Sequence, residues 1–395
     1  SLVGGLSLML ALDDRAIVLD APACRYIPEW RLDGRKAMIT IRQLATHTSG
    51  LEDAEMTPEE IRELVSGGLQ IRDAHLDLPG WKGRFWRRDP DPFTVSRDLC
   101  PVLTTPGTKF AYSNPGMAML SYAVTSALAQ NGCRTDLRSL LRSRIMEPLG
   151  IGDEEWSIGY DQTYSVEGLQ LVANWGGGSF TPRAVARIGE LLLNRGAWNG
   201  LSLISASTVE LATSYAGMPL PERPPENPFM ASGLGWYCNH DAVWPGIPRD
   251  AFCGAGAGNQ VLMVIPSLEM IVVRNGERLF DPERNEAFWG GMYTRLFLPL
   301  LESLVEPPCP AGDLKAEFAP LDSIERLAEG SDNWPATWGD DGALYTGYGD
   351  GWGFEPRTEI KLSLGLARVT GEPGDLRGSN IRSVTGERVG QGAAG

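Results

Sequence analysis

The chain opens on residues 2–12, where apolar side chains fall on every side of a helical wheel and no capping residue precedes them. A helix that is apolar all round is a buried one, so this stretch reads as a core helix joined at its middle. Thr57-Pro58-Glu59-Glu60 opens a short helix: Thr57 caps it, Pro58 suits the first helical position, Glu60 completes a capping box, and Gly67-Gly68 end it. Residues 79–98 are rich in Trp, Arg, Asp and Pro without a period and read as a long loop. Asn114-Pro115 opens another helix, with Met117, Leu120, Val124 and Leu128 on one face. Residues 136–146 and 181–194 are further amphipathic helices, the second with Thr181 as cap and Pro182 at its first position. The runs 260–265 and 269–274 flank Pro266-Ser267-Leu268 and read as an antiparallel hairpin, and 288–305 is a final apolar helix.

Glu306-Pro307-Pro308-Cys309-Pro310 then breaks regular structure, and from about Leu321 the chain turns to short strands, Gly-Asp turns and Trp. The expected organisation is a first domain over 1–305, a linker over 306–325 and a second domain over 326–395. Helices, then a hairpin, then a helix fit an α+β layer architecture better than alternating βαβ units. No tandem repeat, GxGxxG before a helix, P-loop or GxSxG elbow is present. The uncapped apolar start and the strand-and-turn signals running to the last residues lead us to expect a fragment of a longer chain.

Composition narrows the function. Of 395 residues, 43% are hydrophobic and 22% charged, and 47 Gly with 28 Pro are too few for a low-complexity chain. A formal charge of -15 argues against a broad basic surface for nucleic acid or anionic lipid. The apolar run 2–12 is too short for a membrane span and lacks the basic lead-in of a signal peptide. Six scattered cysteines, three histidines and no CxxC make a structural zinc site improbable, and the cysteines are expected to be buried free thiols.

Two segments carry candidate chemistry. Tyr112-Ser113-Asn114 stands at a helix start, where orphan N–H groups and the positive end of the helix dipole favour phenolate, although a tyrosine of ordinary pKa still needs a cation to act as a base. Taken alone, Asn114 reads as an N-cap and Tyr112 as a packed aromatic. Gly254-Ala255-Gly256-Ala257-Gly258 precedes the hairpin; small residues there admit a ligand to the backbone, whose N–H groups suit an oxyanion, or else form a simple turn or bulge.

Together these pieces resemble the serine β-lactamase-like family, which includes class C β-lactamases, related esterases and D-amino-acid peptidases. The resemblance runs over about residues 1–305, through five stretches in the family's order. These are Val18-Leu19-Asp20-Ala21-Pro22 on to Trp30; Ile39 through Thr46-His47-Thr48-Ser49-Gly50-Leu51; Pro106-Gly107-Thr108-Lys109-Phe110-Ala111-Tyr112-Ser113-Asn114; Gly176-Gly177-Gly178 with Thr181-Pro182-Arg183; and 256–266. It implies an antiparallel sheet flanked by helices with a helical subdomain, and cleavage of a small-molecule ester, amide or peptide through an acyl-enzyme, without metal or organic cofactor. It implies Tyr112 and Asn114 as catalytic residues and Gly254, Gly256 and Ala257 at the oxyanion and substrate site. It also implies an exported, periplasmic or extracellular, protein.

The chain departs from the family in two places. The nucleophile belongs to Ser-x-x-Lys, yet the five lysines are preceded three positions earlier by Asp33, Pro79, Pro106, Gly312 and Thr358. Spacing back from Leu19-Asp20 puts the family's lysine just before Ser1. The motif therefore either lies upstream or never existed, as in a pseudoenzyme; Ser1 as nucleophile with Gly4 in place of Lys fits the spacing worse. Where Lys-Thr-Gly or His-x-Gly would stand, this chain has Gly254-Ala255-Gly256, which points away from β-lactam antibiotics. His47 lies in a structural stretch, His75 and His240 have no motif around them, and Ser331-Asp332-Asn333 is in the wrong order to be the second motif.

The segment after Asp332, with its Trp338-Gly339-Asp340-Asp341-Gly342 and Tyr348-Gly349-Asp350-Gly351 turns, resembles the first blade of a β-propeller of the kind related to glycoside-hydrolase-like folds. Asp332 or Asp341 would be carboxylates for a carbohydrate, or plain turn residues. Two rivals to the hydrolase therefore stay open: a non-catalytic binding module, and a carbohydrate-active protein whose propeller carries the function.

Overall fold

The computed structural model describes residues 2–68, 75–133, 135–281, 287–303, 327–332, 334–372, 374–383, 387 and 389. The chain divides into two compact units, Ser1–Pro307 and Pro308–Gly395.

The first unit begins with α1 (Leu2–Asp13), in which every residue from Val3 to Ala11 is buried. Gly5 is there for space: a Cβ would fall 2.8 Å from the indole Cε2 of the buried Trp236. Thr40 closes a capping box with Gln43 on α2 (Ile41–Ala45), and Thr57 does the same with Glu60 on α3 (Pro58–Ser66). The stretch expected to be a long loop holds two helices, α4 (Gly80–Arg87) and α5 (Pro92–Asp98). Asp91 caps α5 by accepting from Thr94 N, and Pro92 follows at the first helical position. The apolar anchors Phe85, Phe93 and Val95 are too few, and too mixed with Arg and Trp, to stand out as a period.

The central helix α6 (Asn114–Gln130) is buried from Asn114 to Leu128 and packs against α1, α2 and α5. α7 (Leu137–Leu141), capped by Asp136, runs on as a π turn over Arg142–Met146. α8 (Pro182–Leu193), capped by Thr181, and α9 (Ala206–Thr213) complete this side. Five strands, β1 (Ala231–Ser232), β2 (Tyr237–Cys238), β3 (Phe252–Gly256), β4 (Gln260–Ile265) and β5 (Met270–Arg274), form one antiparallel sheet in sequential order. The expected hairpin is β4–β5, in register with Met263 opposite Val272.

Period-two alternation assigns the sheet's two faces. Leu262 and Val264 join the core shared with α1, α6 and α8, whereas Val261, Met263 and Ile265 join a second core with Trp244, Trp289, Met292 and Phe297. At Gly189 of α8 a Cβ would lie 2.7 Å from Ile271 Cγ2, so the glycine sets the close approach of helix to sheet. The final apolar helix is three joined pieces: α10 (Phe288–Met292), a π turn over Tyr293–Phe297 and α11 (Leu298–Glu302). Its expected last residues, and the expected linker 306–325, lie outside the described residues.

The second unit contains β6 (Ala336–Trp338), β7 (Leu344–Tyr348), β8 (Gly365–Thr370) and β9 (Arg377–Ile381), one antiparallel meander in sequential order. Tyr348, Phe354, Leu362 and Ala367 give it a core of its own. It is a single sheet; no closed barrel or propeller forms among the described residues. Asp341 serves its turn: it accepts from Ala343 N, Tyr345 Oη and Arg368 Nη2 at 3.1, 2.9 and 2.8 Å.

Among the described cysteines, Cys100, Cys238 and Cys253 are buried free thiols and Cys24 is half-buried. Cys133 departs from expectation by being exposed, because it lies in the turn that ends α6. No described helix is long and apolar enough to cross a membrane.

Candidate active site

Two chain segments are laced together to build the site. His47 O accepts from Ala111 N at 2.8 Å, Thr48 O from Gly107 N at 2.7 Å and Gly50 O from Leu103 N at 2.8 Å. Gly50, at φ 77°, lies against the carbonyl of Thr104, where a side chain would not fit. His47 itself stands in the left-handed region at φ 56° and is 3% exposed. Its Nδ1 accepts from Ser113 N at 3.4 Å, and its ring lies 4.5 Å from that of Tyr112 at a tilt of 32°. Burial lowers the imidazole pKa to about 3, so His47 is neutral and structural.

The cap of α6 corrects the sequence reading. Ser113, not Asn114, is the N-cap: its Oγ accepts from Gly116 N at 3.0 Å and donates to Glu52 O at 3.2 Å. A Ser one residue earlier meets the capping geometry with Pro115 at the second helical position, which releases the Asn114 side chain. Asn114 N and Nδ2 both donate to Asp53 Oδ1, at 2.8 and 3.0 Å. Asn114 Oδ1 then accepts from Tyr112 Oη at 3.3 Å.

Tyr112 is 38% exposed. Its phenol pKa is pushed up, by burial first and then by Asp53, Glu55 and Tyr160. Burial likewise raises Asp53, against the bonds it accepts from Asn114, Ala54 and Glu55. Lys82, 9% exposed, holds this acidic neighbourhood together: Nζ meets Glu52 Oε1 at 2.9 Å, Glu60 Oε1 at 3.1 Å and Glu55 O at 3.1 Å. Neither Asp53 nor Lys82 is among the residues expected from sequence. The available signal was position: Asp53 follows Gly50-Leu51 by two residues, whereas Lys82 was hidden in the stretch read as a loop.

Gly254, Gly256 and Ala257 meet in one cleft of about 490 Å³, bounded by Leu2 and Val3 of α1, the Trp175-to-Phe180 segment and the end of β3. At Gly254 a Cβ would lie 3.2 Å from the Trp236 ring and 3.6 Å from Leu2 N, so glycine lets α1 close against the strand. Gly256 and Ala257 are exposed at the strand end, where Gly258 turns the chain at φ 72°. Tyr112 and Asn114 are not part of this lining. Tyr160 borders the cleft wall: its backbone N–H donates to Gly177 O at 3.0 Å, and a Cβ at Gly176 would run into its ring.

The lining contains no ionisable side chain among the described residues. Two of its polar members are turned to the backbone: Asn275 Nδ2 donates to Phe180 O at 2.9 Å, and Gln260 Oε1 accepts from Gly276 N at 2.9 Å. Nearby Arg274 spends its guanidinium on the carbonyls of Gly258 and Asn259, at 3.2 and 2.9 Å. No group of three or more His, Cys, Asp or Glu side chains suited to a metal ion occurs among the described residues. His75, tilted at 35° to Trp86 and 3.4 Å from Glu55 Oε2, and His240, stacked on Tyr215, are not part of the cleft lining.

The sequence model of the family described as Beta-lactamase matches residues 2–288. This chain belongs to the Beta-lactamase family. Its first unit has the α+β, β-lactamase/transpeptidase-like fold of that family. Among curated proteins it is 29% identical over 145 residues to Esterase EstB of Burkholderia gladioli, covering 35% of this chain and 31% of that protein. The chain thus matches about a third of that relative's length. Two solved structures share the fold. One, from Bacillus anthracis, is described as a 6-aminohexanoate-dimer hydrolase (TM-score 0.51, 18% identity, 78% of this chain and 72% of that one). The other, from Bacteroides dorei, is described as a β-lactamase (TM-score 0.50, 15% identity, 77% and 81%).

Proposed function

We propose that the first unit serves a serine hydrolase that cleaves small-molecule esters, amides or peptides through an acyl-enzyme. The observation that carries the reading is the Tyr112–Asn114 pair, braced at the start of α6 by Asp53. In this reading a serine oxygen adds to the substrate carbonyl while its proton passes to a lysine. The Ala257 N–H and the serine N–H hold the oxyanion, with Gly256 leaving room for the carbonyl. Tyr112 hands the proton to the departing alkoxide or amine, and water then releases the acid. Asn114 orients Tyr112 and the substrate.

The reaction needs a Ser-x-x-Lys, and these 395 residues contain none. In the hydrolase reading nucleophile and lysine are supplied from outside these residues, and the 395-residue chain by itself is expected to form no acyl-enzyme. Family membership over 2–288 and the likeness to an esterase support it. The same missing motif favours one second reading, a non-catalytic binding module. The turn role of Asp341 favours no carbohydrate chemistry in the second unit, and a propeller there would need further blades.

Treatment with a fluorophosphonate followed by intact-mass measurement separates the readings. The 395-residue chain is expected to gain no adduct. A longer form carrying Ser-x-x-Lys is expected to gain one, on that serine. Rapid labelling of the short chain at a defined serine, or none in the longer form, overturns the proposal.

A further inference from the structure

The hydrogen-bond pattern around Asn114 is one-sided. Both of its donors, the backbone N–H and the side-chain amide, end on the same oxygen, Asp53 Oδ1, which also accepts from Ala54 N at 2.8 Å. Asp53 is 61 residues earlier in the chain and is held beside α6 by the lacing of its own loop. Its neighbour Glu52 accepts from Ser113 Oγ, and Leu51 bridges Val102. An amide side chain has a donor end and an acceptor end, and a carboxylate can accept only from the first. With Nδ2 committed to Asp53, the carbonyl end of Asn114 is what Tyr112 meets, 3.3 Å from Oη.

We propose that Asp53 is a positioning residue of this site: by accepting from Asn114 it fixes the carbonyl end of that amide towards Tyr112 and holds the phenol as a hydrogen-bond donor. The Asn114 carbonyl can accept a proton bond from a phenol but offers nothing to a phenolate, and the carboxylate behind it repels one. The other charged and titratable neighbours do not undo this. His47 is neutral, Glu55 faces His75, Lys82 is engaged by Glu52 and Glu60, and Tyr160 and Tyr237 are phenols. Tyr112 therefore keeps its proton until a cation reaches its hydroxyl, and the relay begins as an acid rather than a base.

This inference rests on the hydrolase reading only for its catalytic meaning; its test reads the amide and the phenol directly in the 395-residue chain. Asn side chains labelled with nitrogen-15 and Tyr labelled at Cζ with carbon-13 are observed by NMR. Asn114→Asp and Tyr112→Phe assign the two signals. Asp53→Asn removes the charge and keeps an acceptor oxygen, whereas Asp53→Ala removes both. The expected result is an Asn114 side-chain amide protected from solvent exchange in the parent and in Asp53→Asn, and unprotected in Asp53→Ala. The Tyr112 signal is expected to titrate at lower pH in Asp53→Ala than in Asp53→Asn, because only the former frees the amide to turn its N–H towards the phenolate. Equal titrations in the two variants would mean that charge alone matters and would overturn the proposal. Should Asp53→Ala not fold, the parent decides: an Asn114 amide exchanging as fast as an exposed asparagine overturns it. Neither result depends on whether an acyl-enzyme forms.

Discussion

The imidazole of His47 lies flat enough on the phenol of Tyr112, 4.5 Å between centroids at 32°, to serve as the floor on which that side chain rests. The same imidazole accepts the backbone N–H of Ser113, so one neutral ring sets both the tyrosine and the cap of α6.

That arrangement makes stability depend on pH in a definite direction. His47 has a folded-state pKa of about 3 against an ordinary 6.5, so below pH 6.5 the unfolded chain takes up a proton that the folded chain refuses. Stability falls as pH drops from 6.5 towards 3, by up to about 1.4 kcal/mol per pH unit from this group. Urea unfolding at pH 7 and pH 5 measures it. His47→Asn, which tolerates the left-handed backbone, is expected to lose about 2 kcal/mol less over that interval than the parent. Parallel losses in the two proteins would remove His47 as the cause.

Gly5 tests the packing of α1 on the sheet. Alanine is the better helix former by about 1 kcal/mol, yet here its Cβ would press on the rigid, buried Trp236 indole. Gly5→Ala is expected to cost about 1–3 kcal/mol net in chemical denaturation. A gain in stability would show that α1 does not seat where Leu2 and Val3 border the cleft.

The cleft chemistry sets a preference among substrates. With no ionisable side chain in the described lining, and Arg274 occupied by carbonyls, an acyl group bearing a carboxylate would be desolvated without a partner. For a longer, Ser-x-x-Lys-bearing form, kcat/KM for a neutral ester is expected to exceed that for the matching half-ester of a diacid by about 10- to 100-fold, the equivalent of roughly 1–3 kcal/mol. Equal values would contradict an uncharged cleft.

What could be read from the chain followed locality. α8 announces itself by Thr181-Pro182 and a clean apolar face, and β4–β5 by two β-branched runs around Pro266. α4 and α5 were hidden because their buried anchors are diluted by Arg and Trp, although Asp91-Pro92 is a capping signal in its own right. Tyr112 and Asn114 were legible as a motif, but what orients them was not: Asp53 and His47 reach them through a fold that joins residues more than 60 positions apart. The assignment of Asn114 as a cap failed by one residue, because Ser113 and Asn114 are equally good caps and only geometry chooses between them.

The central claim is that the Tyr112 hydroxyl relays the proton of the acylation step. The most direct measurement is the rate of acylation by a neutral nitrophenyl ester, followed by intact mass, in a Ser-x-x-Lys-bearing form with and without Tyr112→Phe. Loss of a positioned acid–base group is expected to slow acylation by about 100- to 10,000-fold with the fold retained. Equal acylation rates in the two proteins would contradict the account.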